Sequence, residues 1–377
     1  MSETAGGGVG APAPLLPDYG GGCLDGVVPA ILGRHRGPVP PWLPEPVVEA
    51  EQVVLLVLDG MGWEQLQERT HLTPTLAAMS GGPITTVAPS TTATALTSLT
   101  TGAPPAVHGV VGYRMRTAAG EVLNALRWTT PTGDARVDIP PESVQGLEAF
   151  GGTKPPAVTK AEFADSGFSR AHLAGVQHVG WRYPSTLVVR VADLVAEGHP
   201  FVYAYYPGVD TVAHELGFGR AYDAEVAAAD RLVADVLGAL PPGTALVVVA
   251  DHGQVEVGER VVYLDPEITG LTTLLSGEAR FRWLHARPGM VDRLADVAER
   301  RYGHQAWVRT REQVVAEGWL GGRPSPEVAS RLGDVAIVAR APVAFADPAD
   351  TGPIRLRCRH GSLTPAEMLV PLVAARA

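Results

Sequence analysis

Apolar positions along the chain fall into short unbroken runs and longer stretches with helical spacing. Gln52 to Leu58 (QVVLLVL), Phe201 to Tyr206 (FVYAYY) and Ala245 to Ala250 (ALVVVA) are almost continuously apolar. Runs of that length without polar alternation predict strands buried on both faces, as at the centre of a mostly parallel sheet covered by helices. Helices are expected over Leu24 to Leu32, Trp63 to Met79, Leu187 to Glu197, Arg220 to Leu240, Met290 to Arg301 and Arg311 to Glu317. Shorter strands are expected at Val110 to Thr117, Val122 to Trp128, Glu259 to Leu264 and Arg280 to His285. A last strand is expected at Met368 to Val373. The alternation of strands and helices places the chain in the α/β class.

The same pass divides the chain. Residues 1–24 are rich in Gly, Ala and Pro and read as a loosely packed lead. Residues 25–377 read as one catalytic domain, with less regular insertions at about 113–190 and 254–345 that suit a cap or lobe. With 46 % apolar residues the chain can bury a sizeable core. The net charge of -10 is spread rather than blocked. That argues against a nucleic-acid polymer or an anionic membrane surface as partner. There is no apolar run long enough for a membrane span. Two cysteines, Cys23 and Cys358, are too few for a disulfide framework. With no basic start followed by an apolar stretch, the expected location is cytoplasmic. Oligomeric state leaves no mark in the sequence.

The chemistry concentrates at strand ends. Thr85 to Gly102 carries Pro89-Ser90-Thr91-Thr92-Ala93, which joins a strand end to a helix over Ala93 to Leu99, closed by Gly102. Taken alone, Ser90 or Thr91 is an ordinary helix cap. Free backbone N–H groups at such a start also favour an anion, such as a phosphoryl group. Each of the three apolar strands runs into an aspartate: Asp59, Asp210 after a short turn, and Asp251. In open α/β sheets ligands bind at the carboxyl ends of strands, and three carboxylates meeting there repel one another unless a cation sits among them. Candidate ligands are Asp59, Asp210, His214, Asp251, His252 and His360, with a threonine hydroxyl. Asp210 and His214 are four apart and share a helix face. Mixed Asp/His ligation suits Zn²⁺, with Mn²⁺ or Fe²⁺ as weaker substitutes. Six ligands exceed one tetrahedral ion and fit two sites of three ligands. Two metals about 3.5–4 Å apart can clamp the attacking and leaving oxygens of an in-line phosphoryl transfer. Each residue also has a plain reading, as a turn aspartate or a surface histidine. His108 reads as a turn or hydrogen-bonding residue.

The order of these motifs resembles the alkaline phosphatase superfamily, and within it the nucleotide pyrophosphatase/phosphodiesterase branch. The motifs are Asp59-Gly-x-Gly, a threonine opening a helix that ends in Thr101-Gly102, His108-Gly109, Asp210-x-x-x-His214, Asp251-His252-Gly253 and His360-Gly361. None is specific alone; their order spans most of the chain. The resemblance implies a three-layer α/β/α sandwich and two zinc ions. One would be held by Asp210, His214 and His360, the other by Asp59, Asp251 and His252. Thr92 would be the bridging nucleophile that becomes phosphorylated, with Thr91 as runner-up. The backbone near Ala93 would bind a phosphate oxygen.

This chain departs from the family where an asparagine usually follows the His-Gly turn. Tyr113 stands there, with Arg114 and Arg116 beside it. Tyr113 would donate a hydrogen bond to substrate, and Arg114 would add charge that favours a monoester. Taken alone, both arginines are ordinary solvent-facing strand residues. The expected activity is hydrolysis of phosphodiester or pyrophosphate bonds in small, nucleotide-like substrates. The alternatives are a phosphomonoesterase or phosphonate hydrolase on the same core, or a non-catalytic binding protein.

Overall fold

The structure is a computed structural model and describes residues 12–350 and 356–377. Its centre is a seven-stranded sheet made of β1 (Gln52–Leu58), β2 (Ser80–Thr85), β3 (Pro156–Lys160), β4 (Gln177–Trp181), β5 (Phe201–Tyr206), β6 (Thr244–Val249) and β7 (Leu369–Arg376), in the order β2-β7-β6-β1-β5-β3-β4. Strand β1 pairs in parallel with both β6 and β5, which places the three apolar runs side by side. Six of the seven residues of β1 and all six of β6 are buried. Because consecutive residues point to opposite faces, their unbroken burial means that both faces are covered. Only β7 runs against the direction of the other six strands.

The helices that cover the sheet are α1 (Leu24–Gly33), α2 (Thr92–Thr101), α3 (Pro184–Ala196), α4 (Gly208–Leu216) and α5 (Arg220–Ala239). Helix α1 packs on α2, while α3 and α4 both pack on α5. Two four-stranded sheets, among smaller pairings, are set into the chain. A four-strand meander spans Arg114–Arg116, Val122–Asn124, Thr129–Thr130 and Gly133–Asp134. An antiparallel sheet joins Thr272–Gly277, Phe281–Ala286, Val335–Ala339 and Ala306–Thr310. It has its own core, with Leu284, Leu294, Val297, Ile337 and Phe345 at its centre.

Three expectations need correction. The helix expected over Trp63 to Met79 is broken into Trp63–Gln67, a 3-10 turn at Thr70–Leu72, and Pro74–Ala78. The Pro74 ring disfavours helical backbone at Thr73, which sits at φ -127°. The strands expected at Val110 to Thr117 and Val122 to Trp128 shrink to three residues each, because Gly112 takes φ +158° and Trp128 φ +56°. The lead over residues 1–24 is bound to the body from Pro12 onward. Trp307 Nε1 donates to the Pro12 carbonyl (3.0 Å), Leu15 N–H to Leu363 (2.9 Å) and Asp18 N–H to Thr85 Oγ1 (2.8 Å). Residues 1–11 lie outside the described residues.

Leu246 in β6 is fully buried, whereas Val189 on α3 is more than half exposed. Leu246→Ala should therefore cost about 2–5 kcal/mol in a denaturant titration, and Val189→Ala within about 0.5 kcal/mol.

Candidate metal centre

The topology gathers the site. Strands β6, β1 and β5 are parallel neighbours, so their carboxyl ends lie on one edge of the sheet. Asp59 follows β1 directly, Asp251 follows β6 by two residues, and Asp210 and His214 lie on α4, which starts two residues after β5. Because β7 is antiparallel, it begins at the edge where its neighbours end. The segment leading into it carries His360 to the same place. Asp210 N–H donates to the Asp59 carbonyl (3.1 Å), and Gly60 and His252 N–H both donate to Asp251 Oδ1 (3.1 Å each). Gly60, at φ +72°, permits this approach, since a Cβ there would lie 2.9 Å from the Asp210 Cβ.

The six expected ligands meet. His252 Nε2 lies 3.4 Å from both Asp59 Oδ1 and Asp251 Oδ2. His214 Nε2 is 3.2 Å and His360 Nε2 3.9 Å from Asp210 Oδ1. Donor atoms of Asp59, Asp251 and His252 lie within 4.8 Å of one another, as do those of Asp210, His252 and His360. The grouping differs from the one that the resemblance implies: His252 belongs to both sets, and His214 reaches the cluster through Asp210.

Two features show that the residues fit metal ions. The first is a set of unpartnered acceptors: Asp59 Oδ1, Asp210 Oδ1 and Asp251 Oδ2 are buried with no hydrogen bond. Burial, together with the neighbouring carboxylates at Asp59, pushes all three acids above the usual carboxylate range. The second is histidine orientation. His214 Nδ1 donates to the Cys358 carbonyl (2.7 Å), His252 Nδ1 to Gly253 (3.0 Å) and His360 Nδ1 to Ser90 (2.9 Å). Each Nδ1 therefore carries the proton, and each Nε2 presents its lone pair to the acids, the orientation that metal-ligating histidines share. Burial pushes the His252 and His360 imidazoles below their usual value, so both are neutral near pH 7.

Thr92 opens α2 beside this cluster, its Oγ1 3.0 Å from His252 Nε2. Helix α2 ends at Gly102 in the left-handed region (φ 67°), as expected. The simple cap reading fails. Thr91 is the N-cap residue, yet its side chain caps nothing, and Ser90 Oγ donates to the Ser362 carbonyl (2.6 Å). The helical ladder starts with Ala95 N–H to Thr91 O (2.8 Å), so the amides of Thr92, Ala93 and Thr94 precede it beside Thr92. Ala93 is fully buried there.

The other expected substrate contacts differ. Arg114 does not stand free beside the cluster. It is buried, and Nη1 pairs with Asp347 Oδ2 at 2.5 Å, where Arg282 also approaches at 3.6 Å. Arg116 is exposed. Tyr113 gives its N–H to Glu278 Oε1 (2.5 Å), and its hydroxyl accepts from Asn124 Nδ2 (2.6 Å). His108 keeps the hydrogen-bonding part, with Val110 N–H on Nδ1 (3.1 Å) and Nε2 against Ser98 Oγ (2.8 Å).

Sequence reasoning missed several supports. The Tyr205 hydroxyl donates to Asp59 Oδ2, leaving only Oδ1 open. Its place one residue before the end of β5 is the only sequence signal. Arg280 forks onto Glu367 with two bonds of 2.7 Å. Glu367 in turn accepts from Ser362 N–H (3.0 Å) and so fixes the loop that carries His360. Glu278 reaches the side chain of Thr91 and the backbone at Gly361 from the inserted sheet.

Comparison with known proteins comes at three levels. The family model described as type I phosphodiesterase / nucleotide pyrophosphatase matches residues 53–363. No curated protein sequence matches the chain. Among solved structures, the murine ectonucleotide pyrophosphatase / phosphodiesterase 5 superposes with a TM-score of 0.65 at 15 % identity, covering 85 % of this chain and 87 % of that one. An inactive threonine-to-alanine variant of the murine protein, in complex with AMP, superposes at 0.63 and 15 % identity, covering 86 % and 87 %. Phosphonoacetate hydrolase from Sinorhizobium meliloti, in complex with phosphonoacetate, superposes at 0.62 with 18 % identity, covering 87 % and 91 %. At these identities the superpositions speak for the fold. The family match covers most of the chain, including every candidate ligand, and the chain belongs to the type I phosphodiesterase / nucleotide pyrophosphatase family.

Proposed function

We propose that the protein is a two-zinc hydrolase of small phosphodiesters or pyrophosphates, with Thr92 as nucleophile. The observation that carries this reading is the pairing of three unpartnered carboxylate oxygens with three histidine Nε2 lone pairs. Asp59, Asp251 and His252 would hold one ion, and Asp210, His214 and His360 the other. Mn²⁺ or Fe²⁺ are weaker substitutes. Zinc bound there would lower the pKa of the nucleophilic hydroxyl and neutralise charge on the departing oxygen.

The chain's own residues supply the rest. Thr92 Oγ attacks phosphorus, its hydrogen is lost to solvent, and the P–O bond to the leaving group breaks. The resulting phosphothreonine is cleaved by water, which frees Thr92 and releases the phosphoryl product. Amides at the start of α2 face the non-bridging oxygens, where a helix N-terminus favours negative charge. The inactive threonine-to-alanine relative, solved in complex with AMP, supports both the nucleophile and a nucleotide-like substrate. Diesters are preferred over monoesters here, because the Arg114 charge is spent on Asp347.

Elemental analysis of the purified protein, paired with hydrolysis of a bis-aryl phosphate before and after chelation, tests the proposal. About two zinc per chain with chelator-sensitive turnover is expected. A metal-free chain that stays inactive after zinc or manganese is added overturns it. Thr92→Ala should lower kcat by about 10³-fold or more at unchanged zinc content, and full activity in that variant would move the nucleophile to Thr91. Asp251→Ala should bind less metal. The raised acids hold protons that a metal must displace, so zinc affinity should be higher at pH 8 than at pH 6 in a competition titration.

A further inference from the structure

Glu278 lies one residue away from the reactive positions on two sides, and nothing in the mechanism above uses it. It opens the tight turn between Thr272–Gly277 and Phe281–Ala286, which is closed by Glu278 N–H to Phe281 O (3.0 Å) and Phe281 N–H to Glu278 O (3.2 Å). Gly277 takes φ +77° there, and a Cβ on it would lie 2.3 Å from the Phe281 carbonyl oxygen. This turn pushes Glu278 into the body, where it is 6 % exposed. Its stem lies against Gly361, next to His360, where an added Cβ would come within 3.1 Å. Its carboxyl takes the Tyr113 N–H on Oε1 and lies beside the side chain of Thr91, next to Thr92. Oε2 is buried with no hydrogen-bond partner.

Among the described residues no cation forms an ion pair with this group, although Arg282 lies near enough to favour its charge. Arg114 pairs with Asp347, which Arg282 also approaches. A buried, unpaired carboxylate is costly to keep. Burial pushes Glu278 up to about 7, so at pH 8.5 it is almost wholly ionised. A phosphodiester brings one negative charge to the site. A monoester brings close to two, since its second pKa is about 6.

Building on the two-metal reading, we propose that Glu278 is a specificity-determining residue whose carboxylate repels the second negative charge of a monoester and reserves the site for singly charged phosphodiesters. It works from the inserted sheet, so the cap sets substrate class while the central sheet sets the metal chemistry.

The test compares the zinc-loaded wild type with Glu278→Gln at pH 8.5. Gln keeps the acceptor for Tyr113 N–H and removes the charge. One arm measures kcat/KM for a mono-aryl and a bis-aryl phosphate. The other measures binding of inorganic phosphate and of dimethyl phosphate by calorimetry. The variant should raise the monoester-to-diester ratio of kcat/KM by about tenfold or more, and tighten phosphate relative to dimethyl phosphate by a similar factor. Equal changes for both substrates, with no change in relative affinity, overturn the proposal and leave a purely structural residue. Glu278→Leu, monitored by thermal unfolding and zinc content, guards against a fold defect in one variant, and it must shift both ratios in the same direction. If the wild type hydrolyses neither ester, the hydrolase reading fails while the binding arm still decides the role of Glu278.

Discussion

Three buried carboxylate oxygens share one space, and among the described residues no lysine or arginine pairs with them. Asp59, Asp210 and Asp251 each keep one oxygen with no hydrogen bond. The histidines beside them look like ion-pair partners by distance, but each spends its Nδ1 proton on a backbone carbonyl. Burial keeps His252 and His360 neutral. Neutral imidazoles offer lone pairs, not charge. The cluster is therefore a set of candidate ligands whose ionised form is costly unless a cation joins it.

The rest of the molecule holds that cluster in place. Parallel pairing of β6, β1 and β5 puts the acids on one edge, and the reversed β7 returns the chain to the same edge with His360. Tyr205 and the amides of Gly60 and His252 satisfy the carboxylate oxygens that are not needed for a ligand. The Arg280–Glu367 fork ties the inserted sheet to the His360 loop. That contact is fully buried on both sides, so it has a large desolvation cost, which the paired hydrogen bonds and the added bond from Ser362 offset. Insert and central sheet are thus joined at the residues next to the reactive ones.

Arg114 shows how a local reading of charge can mislead. Beside Tyr113 it reads as a source of positive charge for substrate, or as a surface residue. It is neither, because Asp347, more than two hundred positions away, occupies its guanidinium. Glu278 is the converse case. Nothing around Gly277-Glu278-Ala279 marks it in the sequence, yet the turn drives it towards Thr91 and Gly361.

What the sequence by itself determined is the set of local facts. Burial on both faces demands unbroken aliphatic runs, so β1, β5 and β6 were legible, with the aspartates at their ends. A helix closed by the left-handed Gly102 was legible over Ala93 to Leu99, and the structure extends it to Thr92–Thr101. The ordered motifs made the six candidate ligands legible as a group. Tertiary structure alone decided which strands are neighbours, that β7 runs backwards, and how the insertions fold over the edge. It also decided which polar groups are already satisfied: Tyr205 on Asp59, Asp347 on Arg114, Glu278 on Tyr113. Periodicity reports how one segment meets the core, because that is a property of the segment. A hydrogen bond between residues a hundred or more positions apart depends on the path of all the chain between them, and no local pattern records it.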